Sequence, residues 1–253
     1  MVTERMLWLP DVLARAGLNV ITVPGWEARG HTDDGDFLPR AVMVHHDGSP
    51  YGDSPGALNY LINGFKSSGD DNYDAQVWID READVYIIAA GRAQHAGRGT
   101  GWGVVGAGEG NRKSLGIETD HTDKEPWVPL QLDAVRIACA AICEFTGWSP
   151  RNAVLGHKEY APGRKSDPDG VNMDSFRNAV LATIPYLGED DMANTKAEIA
   201  AGVDQWMRTR HDIPGGDKAM TPIEFFERGP AIFEELAEIK QALAALTEMK
   251  ATK

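Results

Sequence analysis

Six short apolar runs dictate what this chain can become: Leu18–Val23, Ala41–His45, Ala75–Ile79, Val85–Ala89, Leu115–Thr119 and Ala153–Leu155. Turn-forming residues bound them, such as Pro24-Gly25 after the first and Asp47-Gly48-Ser49-Pro50 after the second, so each predicts a strand. The turn Asp80–Asp84 joins the third and fourth as a pair. Helical patterns fall between the runs: Leu9–Ala16 ended by Gly17, Leu58–Phe65, Leu132–Phe145 closed by Gly147, and Phe176–Leu187. Two segments read as long loops, the Gly-rich Gly97–Gly110 and the polar Gly156–Gly170. Strands interleaved with helices predict an α/β domain over residues 1–188, with a mixed central sheet flanked by helices.

The pattern changes at Gly188-Glu189-Asp190-Asp191. Residues 189–194 read as a linker, and 195–253 as an all-α region with no strand candidate. Thr195–Arg208 and Pro230–Met249 are its predicted helices, separated by Pro214-Gly215-Gly216. In the second, Ile232, Leu236, Ile239, Leu243 and Leu246 alternate steps of four and three, an a/d seam. A homo-oligomer built on that coiled-coil seam and packing of the helix onto the first domain are equally weighted expectations. Met192 adds the speculative expectation of an internal start that supplies free tails.

Charge narrows the partners. With 38 acidic against 25 basic side chains the net charge is −13, which excludes nucleic acid as a partner and electrostatic attachment to anionic membrane. No run approaches the ~18 consecutive apolar residues of a membrane span. The first twenty residues, broken by Glu4, Arg5, Asp11 and Arg15, do not resemble a signal peptide. Synthesis in the cytoplasm with no membrane anchor is expected. Cys139 and Cys143, four apart on a predicted helix, read as small buried residues.

Two contexts lift particular residues among the seven histidines. Val42-Met43-Val44-His45-His46-Asp47 places a histidine pair at the end of a buried strand. Leu155-Gly156-His157 leads into a loop that carries Lys165 and Asp167, stiffened by Pro162 and Pro168. Zinc takes imidazole nitrogen and carboxylate oxygen in tetrahedral geometry, and catalytic sites keep the fourth position open. His45, His157 and Asp167 satisfy that donor set, although spacing alone does not bring them together. Glu118 lies inside the apolar strand Leu115–Thr119. Either alternation turns it to water, or it is a general base beside a metal-bound water.

These residues resemble the zinc-dependent N-acetylmuramoyl-L-alanine amidases of the amidase-2 type, a group that includes phage lysozyme-like amidases, anhydromuramyl-peptide amidases and peptidoglycan recognition proteins. The segments that carry the resemblance are VMVHHDGSP at 42–50, AQVWIDREADVY at 75–86, QHAGRG at 94–99, NRKSLGIE at 111–118 and GHKEYAPGRKSDPDG at 156–170. They follow one another in the family's order. The last is the most specific, with Lys165 eight residues after His157, Asp167 two further, then Pro168. The N-terminal lead LPDVLARAGLNVITVPGWEARGH is similar to amidase modules in lysins of phages infecting actinobacteria.

The resemblance implies an amidase-2-like fold and one Zn2+ per chain, held by His45, His157 and Asp167. It implies Glu118 as general base and Lys165 as the group that stabilises the transition state. It implies peptidoglycan as substrate, cut at the amide between N-acetylmuramic acid and L-alanine, in a lysis enzyme that reaches the wall after holin-type release. His46, His95, Gly97, Trp102 and Asn111 are expected on the substrate cleft, with His46 also readable as a hydrogen-bonding neighbour of the site. His31 and His121 are expected at the surface. One departure stands out. Many relatives open the strand at 75–79 with a Tyr-His pair, where this chain has Ala75 and Gln76; Tyr73, two residues earlier, is expected to face the wrong way. Two rivals remain at this stage, a peptidoglycan-binding protein without catalysis and a cytoplasmic muropeptide-recycling amidase.

Overall fold

The computed structural model describes residues 5–31, 37–49, 54–63, 73–123 and 125–187. The expected linker, the C-terminal helices with their Ile232–Leu246 seam, and Met192 lie outside the described residues. Among the described residues six strands form one sheet: β1 (Val20–Thr22), β2 (Ala41–Val44), β3 (Val77–Ile79), β4 (Val85–Ile87), β5 (Ser114–Thr119) and β6 (Val154–Gly156). Their order is β1-β4-β3-β5-β2-β6. The β3–β4 pair is antiparallel and every other pairing is parallel. The fold is the expected mixed α/β arrangement.

The centre of the sheet is covered on both faces, and alternation along β2 shows how. Val42 and Val44 enter one core with Leu9 and Leu13 of α1 (Leu9–Arg15) and with Val135, Ala138 and Ile142 of α4 (Pro129–Thr146). Ala41 and Met43 enter a second core with Ala96, Leu155 and Tyr160. Strands buried on two faces read as continuous apolar runs because neither face meets water. Cys139 and Cys143 are free thiols buried in α4.

Three one-turn helices escaped the periodicity, and one expected helix starts early. α2 (Ser54–Asn63) begins four residues before Leu58. The single turns α3 (Gly110–Lys113), α5 (Pro150–Ala153) and α6 (His157–Tyr160) are too short to show a 3.6-residue repeat. α7 (Met173–Thr183) opens at Asn172, whose side chain accepts a hydrogen bond from Ser175 N at 3.0 Å, a cap that gives no apolar signal. It gives way to a 3-10 turn, Ile184–Tyr186, at Pro185, which has no N–H for the helix.

Arg177 of α7 ties these pieces to the sheet. Its guanidinium donates to both carboxylate oxygens of Glu159, at 2.8 and 3.0 Å, to Asp174 at 2.5 Å and to the Val154 carbonyl at 3.2 Å. It also lies over the Trp102 ring, 4.5 Å from the centroid. Glu159 in turn accepts from Gly156 N at 2.9 Å, at the start of α6. Removing one partner of a buried ion pair strands the other, so Arg177→Met is expected to cost about 3–5 kcal/mol, read as the shift in a urea-unfolding midpoint.

Candidate metal centre at the carboxyl end of the sheet

Three neighbouring parallel strands deliver the site. Val44 of β2 pairs with Ile117 of β5 on one side and with Gly156 of β6 on the other. His45, Glu118 and His157 are the next residues along each strand, so the register brings them to one end of the sheet. Ligand sites of open α/β sheets lie at this carboxyl end. His45 N donates to the Ile117 carbonyl at 2.9 Å, and Thr119 Oγ1 donates to the His45 carbonyl at 2.7 Å. Asp167 returns from the loop after α6, where Lys158 N donates to its carbonyl at 2.7 Å. Gly156 fits that return: a Cβ there would stand 2.9 Å from Pro168 Cδ.

His45 Nδ1, His157 Nδ1 and Asp167 Oδ2 converge, separated by 2.9, 3.0 and 3.1 Å, and all three side chains are buried. Tetrahedral donors at ordinary Zn–N and Zn–O lengths stand roughly 3.3–3.6 Å apart, so the triangle has a zinc site's dimensions, contracted by a few tenths of an ångström. The donor chemistry fits as well. His157 Nε2 lies 2.8 Å from the Ala96 carbonyl and 3.2 Å from the Arg164 guanidinium; the shorter contact places the proton on Nε2 and leaves Nδ1 as a lone pair aimed at Asp167. His45 turns its Nε2 to His95 Nδ1 at 2.9 Å and its Nδ1 to the same point. Burial presses the His45 pKa down to about 4, which keeps the ring neutral and able to donate to a metal.

Glu118 stands beside this trio, its Oε1 3.8 Å from His45 Nδ1. All six residues of β5 are buried, so the reading in which alternation turns Glu118 to water fails: both faces of the strand are covered. Its Oε2 is buried with no hydrogen-bond partner among the described residues. Burial first, then the negative charges of Asp167 and Asp47, hold the Glu118 carboxyl well above its ordinary range. Lys165 is exposed, yet its positive charge acts on both His45 and Glu118, opposing the shift at Glu118.

The five residues expected on the cleft have other engagements. His46 Nε2 lies 2.5 Å from Asp123 and its Nδ1 accepts from Asp169 N at 3.4 Å. That bridge fastens Asp123 to the loop that carries Asp167. His95 is buried beneath His45. Asn111 Oδ1 accepts from Ala96 N at 2.7 Å, and its Nδ2 reaches Gln94 at 3.3 Å. Gly97 takes φ +57 beside the Arg164 guanidinium, which donates to the Ala96 carbonyl at 2.7 Å. Trp102 packs against Arg177 and the second core.

His31 and His121 are both buried, which corrects the expectation of surface residues. The cause for His121 is Trp127, whose ring stacks on it at 3.9 Å and 8°. Tyr73 lies against His31 and Arg29, with ring and guanidinium 5.9 and 5.8 Å away. At the position where relatives carry histidine, Gln76 is fully buried and bridges strands, accepting from Gly116 N at 2.7 Å and donating to the Gly91 carbonyl at 3.1 Å.

Comparison with known proteins gives the family. The protein-family description N-acetylmuramoyl-L-alanine amidase, Amidase_2, matches residues 35–170. No curated protein matches the chain. Among solved structures, the chain is similar to an endolysin N-acetylmuramoyl-L-alanine amidase of Clostridium intestinale, at TM-score 0.45 and 13% identity, covering 64% of this chain and 95% of that one. It is similar to peptidoglycan recognition protein SD of Drosophila, at TM-score 0.44 and 17% identity, over 60% and 88% of the two chains. A third is AmpDh3 of Pseudomonas aeruginosa, solved with an anhydromuramic pentapeptide, at TM-score 0.44 and 22% identity, over 63% and 66%. The family match spans more than half of the 253 residues and encloses every member of the trio together with Glu118 and Lys165, and the chain belongs to the N-acetylmuramoyl-L-alanine amidase family Amidase_2.

Proposed function

We propose that this protein is a zinc-dependent amidase that hydrolyses the bond between the lactyl carbonyl of N-acetylmuramic acid and L-alanine in peptidoglycan. The observation that carries the reading is the convergence of His45 Nδ1, His157 Nδ1 and Asp167 Oδ2 within 3.1 Å of one another, with Glu118 beside them. A zinc ion held by these three residues supplies a water with its pKa lowered to about 7 and Lewis acidity toward the scissile carbonyl. Glu118 takes a proton from the attacking water as oxygen bonds to the carbonyl carbon. When the carbon–nitrogen bond breaks, Glu118 returns that proton to the departing amine of L-alanine. The Lys165 ammonium stabilises negative charge that develops on the carbonyl oxygen. The products are the lactyl carboxylic acid and a free stem peptide.

The proposal assigns residues 1–188 to the amidase, 189–194 to a linker and 195–253 to wall targeting or oligomerisation. It also assigns the enzyme to phage lysis, acting on the wall after release from the host cytoplasm. Support for that setting comes from the N-terminal lead and the added C-terminal region. One assay tests the reading: full-length protein is loaded with zinc, dialysed and analysed for metal, then incubated with intact sacculi and with soluble muropeptide. About one zinc per chain and release of L-alanine amino groups from sacculi are the expected results. Peptidoglycan binding without release would establish the non-catalytic rival, and cleavage confined to soluble muropeptide the recycling one.

A further inference from the structure

His95 lies beneath the metal centre. Its Nδ1 is 2.9 Å from His45 Nε2, and its Nε2 is 3.2 Å from the Ser114 carbonyl. The two rings meet nearly edge-on, centroids 5.0 Å apart at 81°. A carbonyl oxygen only accepts, so the proton of the buried, neutral His95 ring is on Nε2. Its Nδ1 is then a lone pair, and the hydrogen between the rings belongs to His45 Nε2. A neutral imidazole carries one N–H, so His45 Nδ1 is left bare, facing His157 Nδ1 and Asp167.

We infer that His95 is a positioning residue: a relay from the Ser114 carbonyl through His95 fixes the tautomer of His45 that presents Nδ1 to the metal. This rests on the zinc reading above. The Ala96 carbonyl does the same directly for His157, at 2.8 Å from its Nε2. Both controls therefore come from the 94–96 stretch, which Asn111 holds through Ala96 N at 2.7 Å.

The relay explains Gly116. A Cβ on this residue of β5 would stand 2.5 Å from His95 Cγ, 2.8 Å from Cδ2 and 2.9 Å from Nδ1. The ring lies flat on a strand that has no side chain there. Gly116 is thus a seat for His95, and Gly116→Ala displaces the ring without removing it.

Two measurements on the full chain test the relay. The first uses metal-free wild-type protein labelled with 15N at histidine. Both His45 and His157 are expected as the Nε2–H tautomer; His45 with its proton on Nδ1 overturns the inference, whatever the zinc result. The second is zinc affinity by competition with a chromophoric chelator, for folded variants checked by circular dichroism. His95→Phe keeps the ring volume but has no acceptor, and a loss of about 10–100-fold in affinity is expected. His95→Gln offers an oxygen to His45 and an N–H to Ser114, and is expected to retain most of the affinity. Gly116→Ala should weaken binding and add little on top of His95→Phe, since both break one relay. Wild-type affinity in His95→Phe, or equal losses in the Phe and Gln variants, would overturn the relay. A wild-type protein that binds no zinc would instead refute the metal reading and leave the tautomer measurement standing as its own test.

Discussion

Glu118→Gln should lower turnover on cell-wall peptidoglycan by about 10²–10⁴-fold while leaving zinc content and fold intact. The glutamine keeps the shape of the side chain and cannot take a proton from water. A second consequence tests the burial of the carboxyl. The carboxyl of Glu118 is buried with one oxygen unpartnered, and burial holds its pKa above the ordinary 4.5. The folded chain keeps this proton to a higher pH than the unfolded chain does. Stability of the metal-free protein is therefore lost as pH rises from about 4.5 toward the folded-state value. Glutamine has no proton to lose, so metal-free Glu118→Gln gains on the wild type over that rise. Urea unfolding at acid and neutral pH reads the difference. Near-normal turnover would show that Glu118 is not the base, and equal pH slopes that burial does not hold its proton.

Zinc should stabilise the fold strongly, and Asp167→Ala should abolish the effect. Without a cation two imidazole nitrogens, of His45 and His157, and the carboxylate of Asp167 crowd within 3.1 Å of one another. With free zinc a thousandfold above its dissociation constant, the gain is about 4 kcal/mol. For a domain of this size that corresponds to a melting shift of roughly 8–16 °C. Chelator should reverse it in the wild type and do nothing in Asp167→Ala. A wild-type protein whose melting ignores both zinc and chelator would sink the metal reading.

The sequence carried the central strands because they are buried, and burial leaves apolar runs that no loop resembles. Val42–Val44 and Leu115–Ile117 are legible for that reason. The trio was legible through its resemblance to a family, and spacing could not have supplied it: His45 and Asp167 are 122 residues apart. Parallel register, Val44 against Gly156, joins His45 to His157, and the loop after α6 returns Asp167 to them. His95 illustrates the opposite case. In sequence it is a polar residue in a Gly-rich neighbourhood, and it reads as cleft wall. Its buried role depends on the absence of a side chain at Gly116, twenty-one positions later, and no local pattern records that. Of the two readings open for Glu118, alternation toward water fails for a related reason. Alternation predicts an exposed face only when one side of the sheet meets water.

The order of strands also says when this enzyme comes into being. β2 leaves the ribosome early, but both of its partners are encoded far downstream: the hydrogen bond from Thr119 to His45 spans 74 residues and the contact of His45 with His157 spans 112. Pairings of that kind form late, because the intervening chain must be closed before they return any energy. A nascent chain thus holds His45 without its partners until most of the domain has been made. A chain truncated anywhere before Asp167 lacks one of the three side chains that converge at the candidate metal centre.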